Sequence, residues 1–80
     1  MTISGNGKQW TNTELLNKAI DESGYKKKYL AAQLGISVKT FKAKICNKSE
    51  FRVSEILALT DLLRLNSRTQ RDIFLSSDVN

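Results

Sequence analysis

The stretch LAAQLGISVKTFK, residues 30–42, contains two apolar helical patterns that are separated by a short break. The first pattern includes Leu30 and Leu34 and stops at Gly35, a residue that suits the left-handed position after a helix. Ser37 is a favourable N-cap for a second helix, because its hydroxyl can accept a hydrogen bond from a first-turn backbone N–H. This stretch therefore predicts two short helices joined by a tight turn.

A first helix is predicted upstream of this pair from the capping signals at its start. Thr11 and Glu14 have the spacing of a capping box, and Trp10 and Leu15 have the spacing of a hydrophobic staple. An apolar stripe at helical spacing follows, and Gly24 stands where a left-handed residue would close the helix. The three helices together span the first half of the chain.

A fourth helix is predicted over about residues 54–64 from its closely spaced leucine and isoleucine residues. Asn47 is expected to end the third helix, because asparagine tolerates the left-handed conformation better than most residues. The connection between these two helices contains Phe51 and Val53, and both side chains are expected to enter the core.

A fifth, short helix is predicted near the end of the chain. Ser67 and Gln70 repeat the capping-box spacing, which indicates a helix start at Ser67. The apolar pattern ends near Phe74 or Leu75. Residues 76–80 are expected to be frayed, and residues 1–10, which are polar and contain two glycines, are expected to form a flexible tail.

The composition supports an all-α class with a single domain over residues 11–75. The 80 residues are 40% hydrophobic and 26% charged, which is ordinary for a folded chain with one modest core. Proline is absent from the sequence, strong helix formers occur throughout, and long alternating runs of β-branched residues are missing. We therefore expect five helices in one compact domain.

Several functional classes are disfavoured by the residues that the sequence lacks. Cys46 is the only cysteine and there is no histidine, so neither a disulfide framework nor a zinc site is expected. The eight acidic residues are scattered, and Cys46 has no histidine to activate it, so an enzyme is not expected. Without an export leader or a long apolar span, the expected compartment is the cytoplasm.

The positive charge is concentrated in residues 26–52, which contain eight basic residues and one acid, a net charge of +7 in a chain of +5. On a helical wheel of the third helix, Phe41 and Ile45 define the core side, while Lys39 and Ala43 point away from it. A charge run is usually a solvated face. Here the run coincides with the pair of helices, which indicates a surface suited to a groove lined by phosphates.

At KKYLAAQLGISVKTFKAKI, residues 27–45, the chain resembles the helix-turn-helix of the lambda repressor and Cro superfamily, the xenobiotic-response-element type. The downstream NKSEF and the Glu55-Ile56 pair are similar to small phage-type members. The resemblance covers about residues 15–74. The matching positions are Leu30, Ala31, Leu34, Gly35, Ile36, Ser37, Phe41 and Ile45.

The resemblance implies a lambda-repressor-like fold and a transcriptional regulator, a repressor of the Cro or CI kind, in a bacterial or phage-infected cell. In this family the second helix of the motif lies in the major groove and the first crosses the DNA backbone. The implied base-reading side chains are Val38, Lys39, Thr40 and Ala43. The implied phosphate-contacting side chains are Lys26, Lys27, Lys42, Lys44, Lys48 and Arg52.

The implied partner is a double-stranded DNA operator, bound by a homodimer that forms through helix 5 and the C-terminal residues. No cofactor, small-molecule substrate or membrane is implied. Three residues depart from the family pattern: Lys26 replaces a small hydroxyl cap, and Asn47 and Arg64 stand where glycine is common. These changes concern stability more than function.

An alternative function for the same fold is a protein-binding adaptor or antitoxin. Leu59, Leu65 and the DIFL stretch, residues 72–75, would then supply an interface. Tyr25 and Tyr29 are expected to serve packing. Cys46 is expected to be an inert free thiol, with a redox switch as the alternative.

Overall fold

The structure is a computed structural model that describes residues 11–75. Within that range the chain forms five α-helices and no β-strand, which confirms the all-α prediction. The predicted tail, the predicted frayed end and the staple predicted for Trp10 lie outside the described residues. The helices are α1 (Thr13–Ser23), α2 (Lys27–Leu34), α3 (Val38–Ile45), α4 (Val53–Leu62) and α5 (Ser67–Phe74).

The five helices share one hydrophobic core. α2 packs on both α3 and α4, while α1 packs on α3 and α5. Phe51, in the connection before α4, lies edge-on to Phe41 at 6.2 Å and to Phe74 at 5.5 Å between ring centroids, a favourable aromatic geometry. The buried apolar residues are Leu16, Ile20, Leu30, Ala31, Phe41, Ile45, Phe51, Ile56, Leu59, Ile73 and Phe74.

Two glycines close helices in the left-handed conformation, as predicted. Gly24 follows α1 with φ +81°, and Gly35 follows α2 with φ +74°. Asn47 and Arg64, which stand where the resembled family commonly has glycine, also have positive φ, of 66° and 55°. Arg64 therefore holds a conformation that costs a side-chain-bearing residue about 1–2 kcal/mol.

The start of α1 differs from the prediction, because Asn12 and not Thr11 is its N-cap. The Asn12 side chain accepts a hydrogen bond from the Leu15 backbone N–H at 3.1 Å. Thr11 is instead paired with Asn47: its N–H donates to Asn47 Oδ1 at 2.9 Å, and Asn47 Nδ2 donates to its carbonyl at 2.8 Å. A contact across 36 positions of the chain thus fixes where α1 begins.

α4 starts one residue earlier than predicted, and α5 starts at Ser67 as predicted but with a different cap. Asn66 caps α5 by accepting from the Thr69 N–H at 2.8 Å, so the cap predicted at Ser67 is wrong. α4 ends at Leu62, earlier than predicted. Phe51 is buried as predicted, but Val53 is 68% exposed, and its predicted core position is wrong. No helix within residues 11–75 is long and apolar enough to cross a membrane.

Candidate nucleic-acid interface

The connection between α2 and α3 is a turn that hydrogen bonds hold tightly. The Gly35 and Ile36 N–H groups both donate to carbonyls of the last turn of α2, at 3.1 and 3.0 Å. Ser37 Oγ accepts from the Thr40 N–H at 3.0 Å and donates to Thr40 Oγ1 at 2.9 Å. Both ends of the turn are therefore capped, which fixes the direction in which α3 leaves α2.

One side of α3 is exposed and basic. Lys39, Lys42 and Cys46 are exposed, and their spacing of three and then four residues aligns them along one strip of the helix. This set is called the α3 strip below. Among the described residues, 11–75, the salt bridge joins Lys44 to Glu55. Lys39 and Lys42 form no ion pair within that range. Both ammonium groups therefore face solvent, with no salt-bridge partner among the described residues.

The other predicted base-reading residues lie beside the α3 strip and are less exposed. Thr40 and Ala43 are half-buried. Val38 is half-buried and packs against the core. The outward side of α3 is thus centred between Lys39 and Lys42, rotated from the predicted direction between Lys39 and Ala43.

The predicted phosphate-contacting residues fall into three groups. Lys26, Lys42, Lys48 and Arg52 are exposed, and Lys27 is half-buried. Lys44 forms the third group by itself, because it is buried inside the molecule.

Lys44 is a correction to the predicted site. Its side chain is 8% exposed, and its Nζ lies 2.6 Å from Glu55 Oε1 in a buried ion pair. The amine is therefore turned away from solvent and neutralised by a carboxylate of α4. This geometry contradicts the predicted phosphate contact, because a phosphate would have to displace Glu55 from a site that solvent barely reaches.

Glu55 is the residue of this region that the sequence reasoning missed. Its Oε1 also accepts the Arg52 N–H at 2.8 Å, so the same carboxylate contacts α3 and the first turn of α4. Burial by itself raises the pKa of Glu55. The hydrogen bonds from Lys44 and from the Arg52 backbone, with the charges of both residues, lower it further than burial raises it, so the net pKa lies below its ordinary 4.5.

The last turn of α3 is held by α1 as well as by α4. Thr13 Oγ1 donates to the Ile45 carbonyl at 2.6 Å, and the Asn47 side chain is paired with Thr11. The Asn12 N–H donates to the Ile73 carbonyl at 2.6 Å, which ties the start of α1 to α5. These contacts anchor the C-terminal end of α3 and leave Lys39, on its first turn, projecting outward.

Metal-ligand clusters and exposed aromatic rings are two further features that could bind a ligand. Within residues 11–75, no group of three or more cysteine, aspartate and glutamate side chains is arranged to hold a metal ion. Tyr25 and Tyr29 stack on each other at 5.0 Å between ring centroids and are exposed at the start of α2. They therefore pack on each other at the surface and are not part of the buried core.

The adaptor alternative loses part of its predicted interface. Leu59, Ile73 and Phe74 are buried, and Leu65 is half-buried against the core. Of the apolar residues predicted for that interface, Leu75 is the one that is exposed.

Comparisons with protein-family models, with curated proteins and with solved structures find no significant match to this chain.

Proposed function

We propose that this protein is a sequence-specific double-stranded-DNA-binding transcriptional regulator of the lambda repressor and Cro type, and that α3 enters the major groove. The observation that carries the proposal is the α3 strip: two exposed lysines on the open side of a helix whose third lysine, Lys44, is neutralised by Glu55. An α-helix with its side chains is about 10–12 Å in diameter, which fits the major-groove width of about 12 Å.

Lys39 has the main base-reading role in this proposal. It lies on the first turn of α3, and the N-terminal residues of a recognition helix are the ones that reach base edges. Its ammonium can donate to the O6 and N7 acceptors of guanine. Thr40 and Ala43, half-buried beside it, would offer methyl groups to a thymine methyl, and Val38 would contribute least because it packs on the core.

The other cations would contact phosphates. Lys42 shares the α3 strip, Lys48 and Arg52 follow α3, and Lys26 and Lys27 stand at the start of α2. Each neutralised phosphate contributes about −0.9 to the slope of log K against log salt, so these five residues predict a slope of about −4.5 per subunit. Lys44 is left out of this sum, since Glu55 already neutralises it.

Few side chains reach bases in this arrangement, which favours a homodimer. A homodimer on a pseudo-palindromic operator doubles the number of base contacts and sets half-sites about 34 Å apart. The resemblance implies a dimer surface on α5, but the described part of α5 offers little apolar surface for one. Because Ile73 and Phe74 of that helix are buried, Leu75 is its remaining exposed apolar residue within the described range.

The direct experiment is selection of binding sequences from random DNA duplexes, followed by titrations at several salt concentrations. We expect an enriched pseudo-palindrome. Lys39→Ala should weaken the selected site by about 1–3 kcal/mol and random DNA by less, whereas Lys48→Ala should weaken both equally and reduce the salt slope by about 0.9. Lys18→Ala removes the same charge from an exposed position on α1, outside the basic segment, and should change neither.

Equal losses on selected and random DNA for Lys39→Ala would remove it from the base-reading role. An absence of duplex binding in the wild type would reject the proposal and favour the adaptor function instead.

A further inference from the structure

We propose that a second copy of this chain docks on the outward face of α4, in antiparallel orientation, through a patch centred on Leu57. This deepens the proposed function, because it names the surface of the homodimer, and it rests on that function only for the link to DNA. The face consists of Val53, Ser54, Leu57 and Asp61, and it is called the α4 patch below.

The apolar part of the α4 patch is left over after the core has formed. Val53 is 68% exposed and Leu57 58% exposed, and their spacing of four residues places them side by side on one face. The opposite face of α4 already supplies Ile56 and Leu59 to the core. The patch is therefore apolar surface that the fold leaves exposed, and two adjacent apolar side chains can serve as the centre of a small contact.

The charge distribution favours a second copy as the occupant. The chain carries +5 overall, with +7 in residues 26–52, so two copies repel each other where their basic segments face one another. Residues 53–61 contain no lysine or arginine, and the charged residue exposed on this face is Asp61. Two copies can thus approach through the α4 patch without opposing their basic segments.

The polar residues of the α4 patch favour an antiparallel arrangement. Ser54 lies about 4.5 Å before Leu57 along the helix axis, and Asp61 lies about 6 Å after it. With a two-fold axis near Leu57, Asp61 of each copy meets the Ser54 hydroxyl of the other, which can donate a hydrogen bond to it. A parallel arrangement would set Asp61 against Asp61. The patch is therefore self-complementary, as a two-fold interface requires.

The patch is small, so the dimer is expected to be weak and to form more completely on DNA. It begins directly after Arg52, one of the phosphate-contacting residues of the proposed function. A dimer at this position would therefore form beside the DNA-facing edge of each subunit.

The test is sedimentation velocity over a concentration series in the absence of DNA. The wild type should shift from monomer toward dimer, and Leu57→Glu should raise the dimer dissociation constant about tenfold or more, with an unchanged far-UV circular dichroism spectrum. Leu75→Glu is the matched control, since it adds the same charge to an exposed leucine of the α5 surface. It should dimerise like the wild type.

A second variant tests the orientation and does not depend on disrupting the patch. Ser54→Lys should strengthen the dimer, because antiparallel packing sets the new ammonium against Asp61 of the second copy. Parallel packing would set lysine against lysine and weaken the dimer.

Three results would overturn the inference: a wild type that stays monomeric throughout the series, a Leu57→Glu variant that dimerises normally, or loss of the dimer in Leu75→Glu alone. Because DNA is absent from these experiments, a failure here leaves the proposed function standing. Conversely, an absence of DNA binding leaves the dimer surface standing.

Discussion

Replacing Glu55 by glutamine should destabilise the protein strongly, although it changes only one charge. The carboxylate is 2.6 Å from Lys44 Nζ and 2.8 Å from the Arg52 backbone nitrogen, and both charged side chains are 8% exposed. Glutamine has nearly the same size and can still accept the Arg52 N–H. Its neutral amide leaves the buried Lys44 ammonium without a counterion.

The expected loss is about 3 kcal/mol, at the low end of the 3–5 kcal/mol that breaking a buried ion pair costs. In a domain of this size, 1 kcal/mol shifts the melting temperature by about 4–8 °C, so the shift should be about 12–24 °C. Glu50→Gln removes the same charge from an exposed position before α4 and should change stability by less than about 0.5 kcal/mol.

Urea unfolding followed by circular dichroism at neutral pH measures all these variants. The double variant Lys44→Met with Glu55→Gln removes both charges and should recover most of the loss, because replacing a whole buried pair is often close to neutral. It should also keep the wild-type salt slope on DNA. The reasoning is refuted if Glu55→Gln unfolds at the same urea concentration as Glu50→Gln.

Three further predictions follow from the structure. The folded-state pKa of Glu55 is below its ordinary 4.5, so its contribution to stability is present above pH 4.5 and is lost as the pH falls through the lowered pKa. Urea unfolding from about pH 6 to pH 3 should therefore show a steeper loss of stability for the wild type than for Glu55→Gln. Arg64→Gly should raise the free energy of unfolding by about 1 kcal/mol, because glycine adopts the left-handed backbone conformation without strain. Asn47→Gly should lower it by about 1–3 kcal/mol, because two hydrogen bonds to Thr11 are lost. Gly35→Ala should cost about 1–2 kcal/mol from backbone strain alone in thermal unfolding, because a Cβ there meets nothing within 4 Å.

Each of these outcomes has a clear contrary. Parallel pH profiles for the wild type and Glu55→Gln would mean that other carboxylates cause the acid sensitivity. A destabilised Arg64→Gly would show that the arginine side chain contributes more than its backbone conformation costs. A neutral Gly35→Ala would show that the turn between α2 and α3 adapts to the new residue.

The positions where the chain must turn were the most predictable part of the fold. Gly24 and Gly35 are confirmed as left-handed helix ends, because steric restriction at positive φ acts locally and can be inferred from residue type. Asn47 is confirmed for the same reason. The spacing of apolar residues likewise predicted five helices, because this pattern can be recognised without knowing which distant residues are in contact.

Helix starts were less predictable where two capping residues are adjacent. Thr11 and Asn12 can both cap, and the choice depends on Asn47, which lies far along the chain and binds the Thr11 backbone. Asn66 and Ser67 present the same ambiguity at α5. The two residues of such a pair have similar N-cap propensities, so a tertiary contact or a single hydrogen bond decides which of them caps the helix.

The candidate site was predictable in its location but not in the state of each lysine. The helical wheel placed Lys39 outward, and it is exposed. Lys44 was expected to contact phosphate because it is basic and lies beside the base-reading residues. It is buried instead, because its partner Glu55 lies on another helix, which the spacing along α3 does not reveal. Val53 shows the converse error, since an apolar residue can remain exposed.

The measurement that tests the central proposal most directly is a ¹H–¹⁵N correlation titration of the protein with the duplex obtained by selection. The proposal predicts the largest amide shifts at residues 37–43, with smaller shifts near Lys48 and Arg52. Large shifts confined to α1 or α5, with residues 37–43 unchanged at saturation, would contradict it.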